Sequence, residues 1–331
     1  MLRVFFILSV SICLFAQDAI TPIPFMGSYD KEKAQLGKSL FFDKILSKDG
    51  TISCSSCHEL PGNGANSTEH SFGINNKKSL VNSPTVLNSV FNLSQFFDGR
   101  AKDLKDQALI SIVNPLEMDS SIEEVLVKLN NSSYKKRFQK IYKDGITTNN
   151  LAEVIAEFEK ALITPNSRFD RYLRGDRKAI NDQEKRGYKA FKELGCISCH
   201  NGVNIGGNMH QKMGIIIVYD HMDSTQKNLA LNGRYNVTKR ERDKLVFKVP
   251  TLRNIALTAP YLHDGSVETL KDVIIDMREH QLGLLDESSD VDDIEMFLKT
   301  LTGEMPEIIK KIPQAKYIYK SSKDTSEPPG S

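Results

Sequence analysis

The chain has 331 residues, of which 40% are hydrophobic and 26% are charged. This is the composition of an ordinary folded protein, and the length is sufficient for two domains of normal size. The formal net charge is only +2, which excludes the strong electrostatic field typical of nucleic-acid-binding or membrane-surface proteins.

The first residues, 1–16, have the pattern of a secretory signal peptide. The positive charge of Arg3 precedes the apolar run 4–15, and a small residue follows it. That run is too short for a membrane-spanning helix, which needs about 20 apolar residues. Cys13 suggests lipidation as an alternative, although Ile12 before it is larger than the usual small residue. The mature protein is therefore predicted to be periplasmic, with no membrane span.

Apolar residues recur at helical spacing in several stretches of the chain. The predicted helices are 31–45, 101–113, 121–143, 149–163, 182–194, 266–280 and 289–301. Residues 59–79 are rich in Gly, Asn and Ser and predict a long loop, of a length that is usually functional. Residues 215–218 are strand-like, and Pro165 marks a domain boundary. The tail 320–331 lacks apolar residues and is predicted to be disordered.

Two C-x-x-C-H sequences are the strongest functional signal in the chain. They consist of Cys54, Cys57, His58, Cys196, Cys199 and His200. This is the attachment sequence of a c-type haem: the cysteines tether the haem and the histidine binds its iron. Zinc sites and redox dithiols also use C-x-x-C, but two complete copies favour two haems. The fifth cysteine, Cys13, leaves with the signal peptide, so no thiol remains for a disulfide.

The sequence around the two motifs repeats itself. The segment 84–88 (PTVLN) matches 250–254 (PTLRN), and an Asp-Gly pair and a Leu-Lys-Asp triplet follow each at the same distances. We infer an all-α fold of two cytochrome c-like haem domains in tandem, arisen by duplication. The predicted domains are 17–165 and 166–319.

The repeat predicts that the two irons differ in their second ligand. In the second copy Met277 follows the repeated block and can complete a His200/Met277 pair, which raises the reduction potential. The aligned residue in the first copy is Ser111, a poor iron ligand. A core methionine is the alternative reading of Met277, and Met118 is an alternative ligand for the first haem. The first haem is otherwise expected to have an open far side.

Two polar residues lie after the first Asp-Gly pair. Gln107 aligns with the apolar Val273, and Glu117 occupies a turn, 114–118. A Glu buried beside a haem would have a raised pKa and could transfer protons. On these residues alone, a solvated turn Glu is the simpler interpretation.

The chain resembles the bacterial di-haem cytochrome c peroxidase family, which includes the MauG-type enzymes, over about residues 31–303. The resemblance rests on these segments: LGKSLFFDKILS, SCSSCH, NSPTVLN, FFDGRAKDLKDQA, NPLEM, FDRYLRGD, GCISCH, FKVPTLRNIALTAPYLHDGS and MREHQLG. It implies reduction of hydrogen peroxide to water with electrons from a small periplasmic cytochrome c or cupredoxin. The N-terminal haem would be the low-potential peroxidatic site and the C-terminal haem the high-potential electron acceptor. A homodimer is also expected.

The resemblance assigns roles to further residues. Glu117 and Gln107 become residues of the peroxidatic pocket, with Glu117 as the acid and base in cleavage of the O–O bond. A Ca²⁺ ion would lie between the domains on the Asn82 side chain and the carbonyls of Thr258 and Pro260. Oxygen ligands suit a hard cation.

This sequence departs from the family pattern at two positions. Well-characterised members carry a capping histidine at the position of Ile74, and His70 lies four residues too early. The first haem is therefore expected to be active without prior reduction. The usual tryptophan between the haems is Phe97 here, and His263 aligns with it in the repeat, near the second haem. MauG-type members have Tyr at the position of Met277.

We also considered two other functions from the sequence. A di-haem electron shuttle is disfavoured because a pure carrier gains nothing from an open iron at Ser111. A MauG-like oxidase of a protein substrate is disfavoured by Met277.

Overall fold

The computed structural model describes residues 19–219, 232–286 and 289–310, and the predicted signal peptide and tail lie outside them. The all-α fold class is confirmed, since the described part is built from helices and long loops. The helices are α1 Lys31–Phe42, α2 Leu104–Val113, α3 Ile122–Asn130, α4 Tyr134–Ile141, α5 Thr148–Lys160, α6 Arg168–Leu173, α7 Asp182–Glu193, α8 Tyr235–Thr238, α9 Leu270–Leu282, α10 Asp290–Lys299 and α11 Glu307–Lys310.

Short 3₁₀ turns and one strand pair complete the described structure. The 3₁₀ turns are Lys44–Leu46, Cys54–Ser56, Ile74–Asn76, Ser89–Phe91, Cys196–Ser198, Glu241–Asp243 and Ile255–Leu257. The strands β1 (His210–Lys212) and β2 (Val246–Lys248) pair antiparallel.

The structure corrects two sequence predictions. The helix expected over 121–143 is two helices, because Ser121 and Glu124 cap the start of α3 and the chain turns at 131–133 before α4. The strand-like run 215–218 forms bends instead. Its Ile216 and Ile217 amides both donate to the carbonyl of His280 rather than to a neighbouring strand.

Two crossed helix pairs form the framework, and each crosses at a glycine. A Cβ on Gly37 of α1 would lie 1.8 Å from the Val154 carbonyl oxygen of α5. A Cβ on Gly187 of α7 would lie 1.8 Å from the Asp293 carbonyl oxygen of α10. Only glycine allows backbones to approach so closely. The pair α1/α5 therefore corresponds to α7/α10.

The clusters of buried side chains do not correspond to two consecutive halves of the chain. One large cluster contains Leu36, Leu40 and Ile155, and another contains Phe169, Phe297 and Leu301. Ile20, from the lead-in segment, packs in the second cluster. Ile309, near the other end, packs in a third cluster with Phe41 and Phe158. The two ends of the described chain thus each join the opposite half.

A buried hydrogen-bond hub joins the two copies of the repeat. Thr164 Oγ1 accepts from Asn88 Nδ2 at 2.8 Å and from Asn254 Nδ2 at 2.9 Å. Asn88 Oδ1 accepts from the Thr164 amide, and Asn254 Oδ1 accepts from the Gly303 amide. Both asparagines have a left-handed backbone, with φ of 62° and 61°, which Asn tolerates better than most residues. The repeated Asn of P-T-x-x-N is thereby explained.

Within the described residues, no helix combines the length and apolar character needed to cross a bilayer. The longest described helices, α5 and α9, have 13 residues each.

Thr164→Val should lower the stability of the holoprotein. The change leaves two buried amide donors without their acceptor, at a cost of about 1–3 kcal/mol for each. The urea midpoint of unfolding, followed by circular dichroism, measures the loss. Thr148→Val, at an exposed position on α5, is the matched control. Equal midpoints for the two variants would show that the hub does not stabilise the fold.

Candidate functional site

The first C-x-x-C-H motif follows α1 in a 3₁₀ turn, Cys54–Ser56. His58 Nδ1 lies 3.2 Å from the Gly64 carbonyl oxygen, and the carbonyl of Pro84 also faces the ring. Burial lowers the pKa of His58 below its usual value, so the ring is neutral. A neutral imidazole whose Nδ1 donates to a carbonyl presents Nε2 as a metal ligand.

The second motif has a similar arrangement, except that His200 Nδ1 has no hydrogen-bond partner among the described residues. Cys196–Ser198 is a 3₁₀ turn after α7, and His200 faces the carbonyls of Ile205 and Pro250. Burial lowers the pKa of His200 to about 4. Pro84 and Pro250 are equivalent in the sequence repeat. In each copy the carbonyl of the P-T-x-x-N proline therefore lies beside the histidine, while the asparagine of the same block joins the hub.

A cavity lies beside the first motif. Its lining contains both cysteines, the histidine and several residues of α2, α5 and the turn 114–118. The lining residues used below are Cys54, Cys57, His58, Gln107, Ser111, Glu117, Met118 and Glu159. The structure thus brings Glu117 and Gln107 together with the first haem motif.

The polar side chains of the cavity are ordered by one another. Gln107 Nε2 donates to Ser111 Oγ at 3.3 Å, while Gln107 Oε1 is buried with no partner among the described residues. Asn114 Nδ2 donates to Glu117 Oε1 at 2.6 Å. Burial raises the pKa of Glu117, against hydrogen bonds from Ser111 and Asn114 that lower it. Glu117 is therefore a buried carboxyl rather than a solvated turn residue.

The long loop 59–79 packs against the turn that carries Glu117. Ile74 is buried, and its amide donates to the Glu117 carbonyl oxygen at 2.8 Å. A Cβ on Gly73 would lie 2.1 Å from the Leu116 carbonyl oxygen. Lys77 Nζ donates to the Pro115 carbonyl at 2.9 Å. The loop is thereby fixed on the turn that carries Glu117.

His70 lies elsewhere in this loop. It is buried, and its Nε2 contacts Glu69 Oε1 at 3.0 Å. It is absent from the lining of the first cavity. Met118 does line that cavity, but it also packs in the apolar core with Leu46 and Val125.

Aromatic rings lie between the two halves. Phe97 and His263 have ring centroids 6.5 Å apart, and His263 and Phe247 have centroids 4.3 Å apart. Burial lowers the pKa of His263. Met277, on α9, packs in the same small cluster as Phe97 and Phe247. The residues predicted to lie between the haems and near the second haem are thus neighbours.

Lys248 was not anticipated from the sequence. Its amide donates to the Phe97 carbonyl oxygen at 2.7 Å, and burial lowers the pKa of its side chain to about 8. The carboxylate of Asp98 acts in the opposite direction. A single Lys in a strand pattern carries no signal of such burial, so the sequence alone could not have found it.

A backbone hydrogen bond connects Asn82, one of the predicted calcium residues, to the second half of the chain. The Asn82 amide donates to the His263 carbonyl oxygen at 2.9 Å, which ties Asn82 to the segment containing Thr258 and Pro260. Asn82 Nδ2 donates to the carbonyls of Thr68 and Glu69. In the described part of the chain no group of three or more acidic, Cys or His side chains converges as a metal site.

The two motifs fit covalently bound haem. All four cysteines are free and partly buried, each histidine is neutral, and the first cavity has a buried amide oxygen without a partner. In both copies a phenylalanine lies beside the histidine, with ring-centroid distances of 6.4 Å for Phe41–His58 and 6.5 Å for Phe191–His200.

The chain matches a family model described as di-haem cytochrome c peroxidase over residues 31–178. It is 46% identical over 295 residues to the cytochrome c551 peroxidase of Nitrosomonas europaea, covering 88% of this chain and 86% of the relative. It is 41% identical over 283 residues to the cytochrome c551 peroxidase of Pseudomonas aeruginosa, covering 84% and 81%.

Solved structures agree on the fold. A MauG-like protein associated with microbial copper homeostasis superposes with a TM-score of 0.73 at 26% identity, covering 88% of this chain and 95% of that one. The diheme peroxidase BthA from Burkholderia thailandensis superposes with a TM-score of 0.70 at 19% identity, covering 86% of this chain and 93% of that one. At this identity the likeness supports the fold alone.

This chain belongs to the di-haem cytochrome c peroxidase family. The resemblance inferred from the sequence motifs is confirmed, and membership implies two c-type haems.

Gly73→Ala should release the loop from the Glu117 turn. The added Cβ has no room beside the Leu116 carbonyl, so the loop must move outward. Limited trypsin digestion after Lys77 and Lys78, followed by mass spectrometry, should then be faster than in the wild type. Gly50→Ala is the control for backbone strain without a clash, because a Cβ there meets nothing within 4 Å although its φ of +70° disfavours alanine. Equal digestion of the Gly73→Ala variant and the wild type would contradict the close packing.

Proposed function

We propose that this protein is a periplasmic peroxidase that reduces hydrogen peroxide to water with electrons from a small cytochrome c or cupredoxin. The electrons enter at the C-terminal haem and pass to the N-terminal haem. The observation that carries the proposal is the first cavity, in which Glu117, Gln107 and Ser111 line the same space as the C-x-x-C-H motif. Ser111 occupies the position that Met277 has in the second copy.

The overall reaction consumes one peroxide, two electrons and two protons and yields two water molecules. The haem iron of the first motif, when bound, supplies the site that holds peroxide and delivers the electrons. Glu117 accepts a proton from one peroxide oxygen and returns it to the other, so that cleavage of the O–O bond releases water. Asn114 holds the Glu117 carboxyl through Oε1.

Gln107 orients the substrate in the same cavity. Its Nε2 is occupied by Ser111 at 3.3 Å, which leaves Oε1 as a buried acceptor. A peroxide O–H can donate to that oxygen. Gln107 therefore fixes the direction in which the substrate lies relative to Glu117.

The first haem is proposed to stay open in the oxidised protein. Ile74 offers no ligand and is held against the Glu117 carbonyl, while His70 Nε2 is engaged by Glu69. Met118 packs in the core. Peroxide can then react without an earlier reduction step that displaces a ligand.

The second haem is proposed to accept electrons through a His200/Met277 ligand pair, which favours a high potential. The ring of Phe97 lies in the cluster that contains Met277 and approaches His263. We propose Phe97 as packing between the haems. Because phenylalanine is hard to oxidise, a radical at this position is not part of the mechanism.

The remaining assignments rest on sequence and family. The predicted signal peptide and the export needed for c-type haem attachment support a periplasmic protein. A Ca²⁺ ion on Asn82, Thr258 and Pro260, the division into haem domains 17–165 and 166–319, and a homodimer are proposed on the same basis.

Glu117→Gln should lower kcat/KM for peroxide by about 100-fold or more, as expected for loss of a general acid and base. Because the free enzyme needs ionised Glu117 and its pKa is raised, wild-type kcat/KM should rise with pH above the usual Glu range. That limb should be missing in the variant. Steady-state assays with a reduced small cytochrome c measure both effects.

Glu123→Gln, on the exposed face of α3, is the control for that assay and should behave as wild type. Unchanged turnover in Glu117→Gln would remove Glu117 from the catalytic role.

Ile74→His should convert the protein to one that needs prior reduction. Ile74 lies against the turn that carries Glu117, and the family pattern places the capping histidine at this position. The variant's histidine is therefore expected to bind the first iron, giving a low-spin signal and little peroxide turnover in the oxidised state. Reduction of the second haem should restore turnover. Ile74→Val is the control for altered packing. A variant that remains fully active when oxidised would contradict the proposed role of this position.

A further inference from the structure

A second buried carboxyl lines the first cavity. Glu159, in the last turn of α5, is 2% exposed and faces the same space as Cys54 and Glu117. Burial alone raises its pKa to about 8. Nothing in the proposed peroxide chemistry uses this group.

No described residue compensates the charge of Glu159. Its Oε2 is buried without a hydrogen-bond partner, and the adjacent Lys160 pairs instead with Glu157 at 2.6 Å. The cavity is bounded by α1, α2, α5, the 3₁₀ turn Lys44–Leu46, the first C-x-x-C-H segment and the turn 114–118. The polar and titratable side chains that line it with Glu159 are Ser53, Cys54, Cys57, His58, Gln107, Ser111 and Glu117. None of these is a cation at neutral pH, because His58 is neutral.

The duplicated framework shows that this carboxyl is not needed for packing. Phe158 lies against Gly37, as Phe297 lies against Gly187. Phe158 and Phe297 are therefore equivalent positions. The residue after each is Glu159 in the first copy and Leu298 in the second. Leu298 is 4% exposed and fills its place in an apolar cluster.

An uncompensated buried carboxyl is expensive, and a leucine serves the same framework position in the other copy. Such a group is expected where its protonation is used. The cavity it faces is the one that the haem of Cys54 and Cys57 would fill. An electron added to that haem makes the cavity more negative, which favours the neutral form of a nearby carboxyl.

We infer that Glu159 takes up a proton from solvent when the first haem is reduced, so that an electron and a proton enter this cavity together. The electron comes from the donor through the second haem and reduces the ferric iron to ferrous iron. The proton forms the O–H bond of the Glu159 carboxylic acid. The step would bring one of the two protons used per peroxide into the site.

The inference depends on attachment of a haem at Cys54–His58 but not on which haem reduces peroxide. It is therefore tested by reduction potentials rather than by turnover. Spectroelectrochemical titration of the holoprotein between about pH 6 and 9 resolves the two haems. In the wild type the potential of the first haem should fall as pH rises around the pKa of Glu159.

Glu159→Gln and Glu159→Leu should both give a first-haem potential that is much less dependent on pH in this range. The second haem, whose copy has Leu298, is the internal control and should not change between variants. The Glu117→Gln variant distinguishes the effect of Glu117 from that of Glu159. The potential of its first haem should still depend on pH near 8. Haem content, measured from the absorbance of both haems, verifies that each variant is loaded.

Identical pH dependence in wild type and Glu159→Gln would overturn the inference, as would its loss in Glu117→Gln instead. Peroxide turnover is recorded separately on the same samples. A protein that shows the coupling but does not turn over peroxide would leave this inference standing and contradict the proposed function.

Discussion

The structure depends on one buried hydroxyl, Thr164 Oγ1, which accepts hydrogen bonds from Asn88 and Asn254. These are the matching residues of the two repeat copies, and each has a left-handed backbone at the end of the P-T-x-x-N block, whose proline carbonyl faces a motif histidine. A shift of either asparagine would therefore disturb both the joint between the halves and the orientation of a proposed iron ligand. Few places in a duplicated protein are constrained from both copies at once, and the repeated P-T-x-x-N sequence follows from that constraint.

The surroundings of the two C-x-x-C-H motifs differ, although the helical framework around them is repeated. The glycine crossings and the phenylalanine beside each histidine are shared, whereas the residues around the first motif are polar where those of the second are apolar or sulfur-containing. The differing pairs, first copy before second, are Gln107 and Val273, Ser111 and Met277, and Glu159 and Leu298. These differences make the cavity beside the first motif more polar, which suits a site that binds peroxide and transfers protons. The other site suits simple electron transfer.

The sequence predicted the two attachment motifs and the all-α class because these depend on local patterns and on a repeat without gaps. The grouping of Glu117 with Gln107 was predicted only through the family resemblance, since the residues alone favoured a solvated turn Glu. Helix ends were less accurate: the turn at 131–133 interrupts a continuous apolar pattern that reads as one helix. The burial of Glu159 was not found because the helices α5 and α10 align with a different offset from the P-T-x-x-N block, so the Leu298 comparison emerges only from the packing. The support of Glu117 by Ile74 and the pairing of His70 with Glu69 depend on long-range contacts that no periodicity records.

The central claim is that the first haem is open in the oxidised protein while the second is closed by His200 and Met277. An electron paramagnetic resonance spectrum of the fully oxidised wild-type protein, recorded at low temperature, tests it directly. We expect one high-spin ferric signal from the first haem and one low-spin signal from the second. Two low-spin signals of equal weight would contradict it, because they would require a second strong ligand on the first iron.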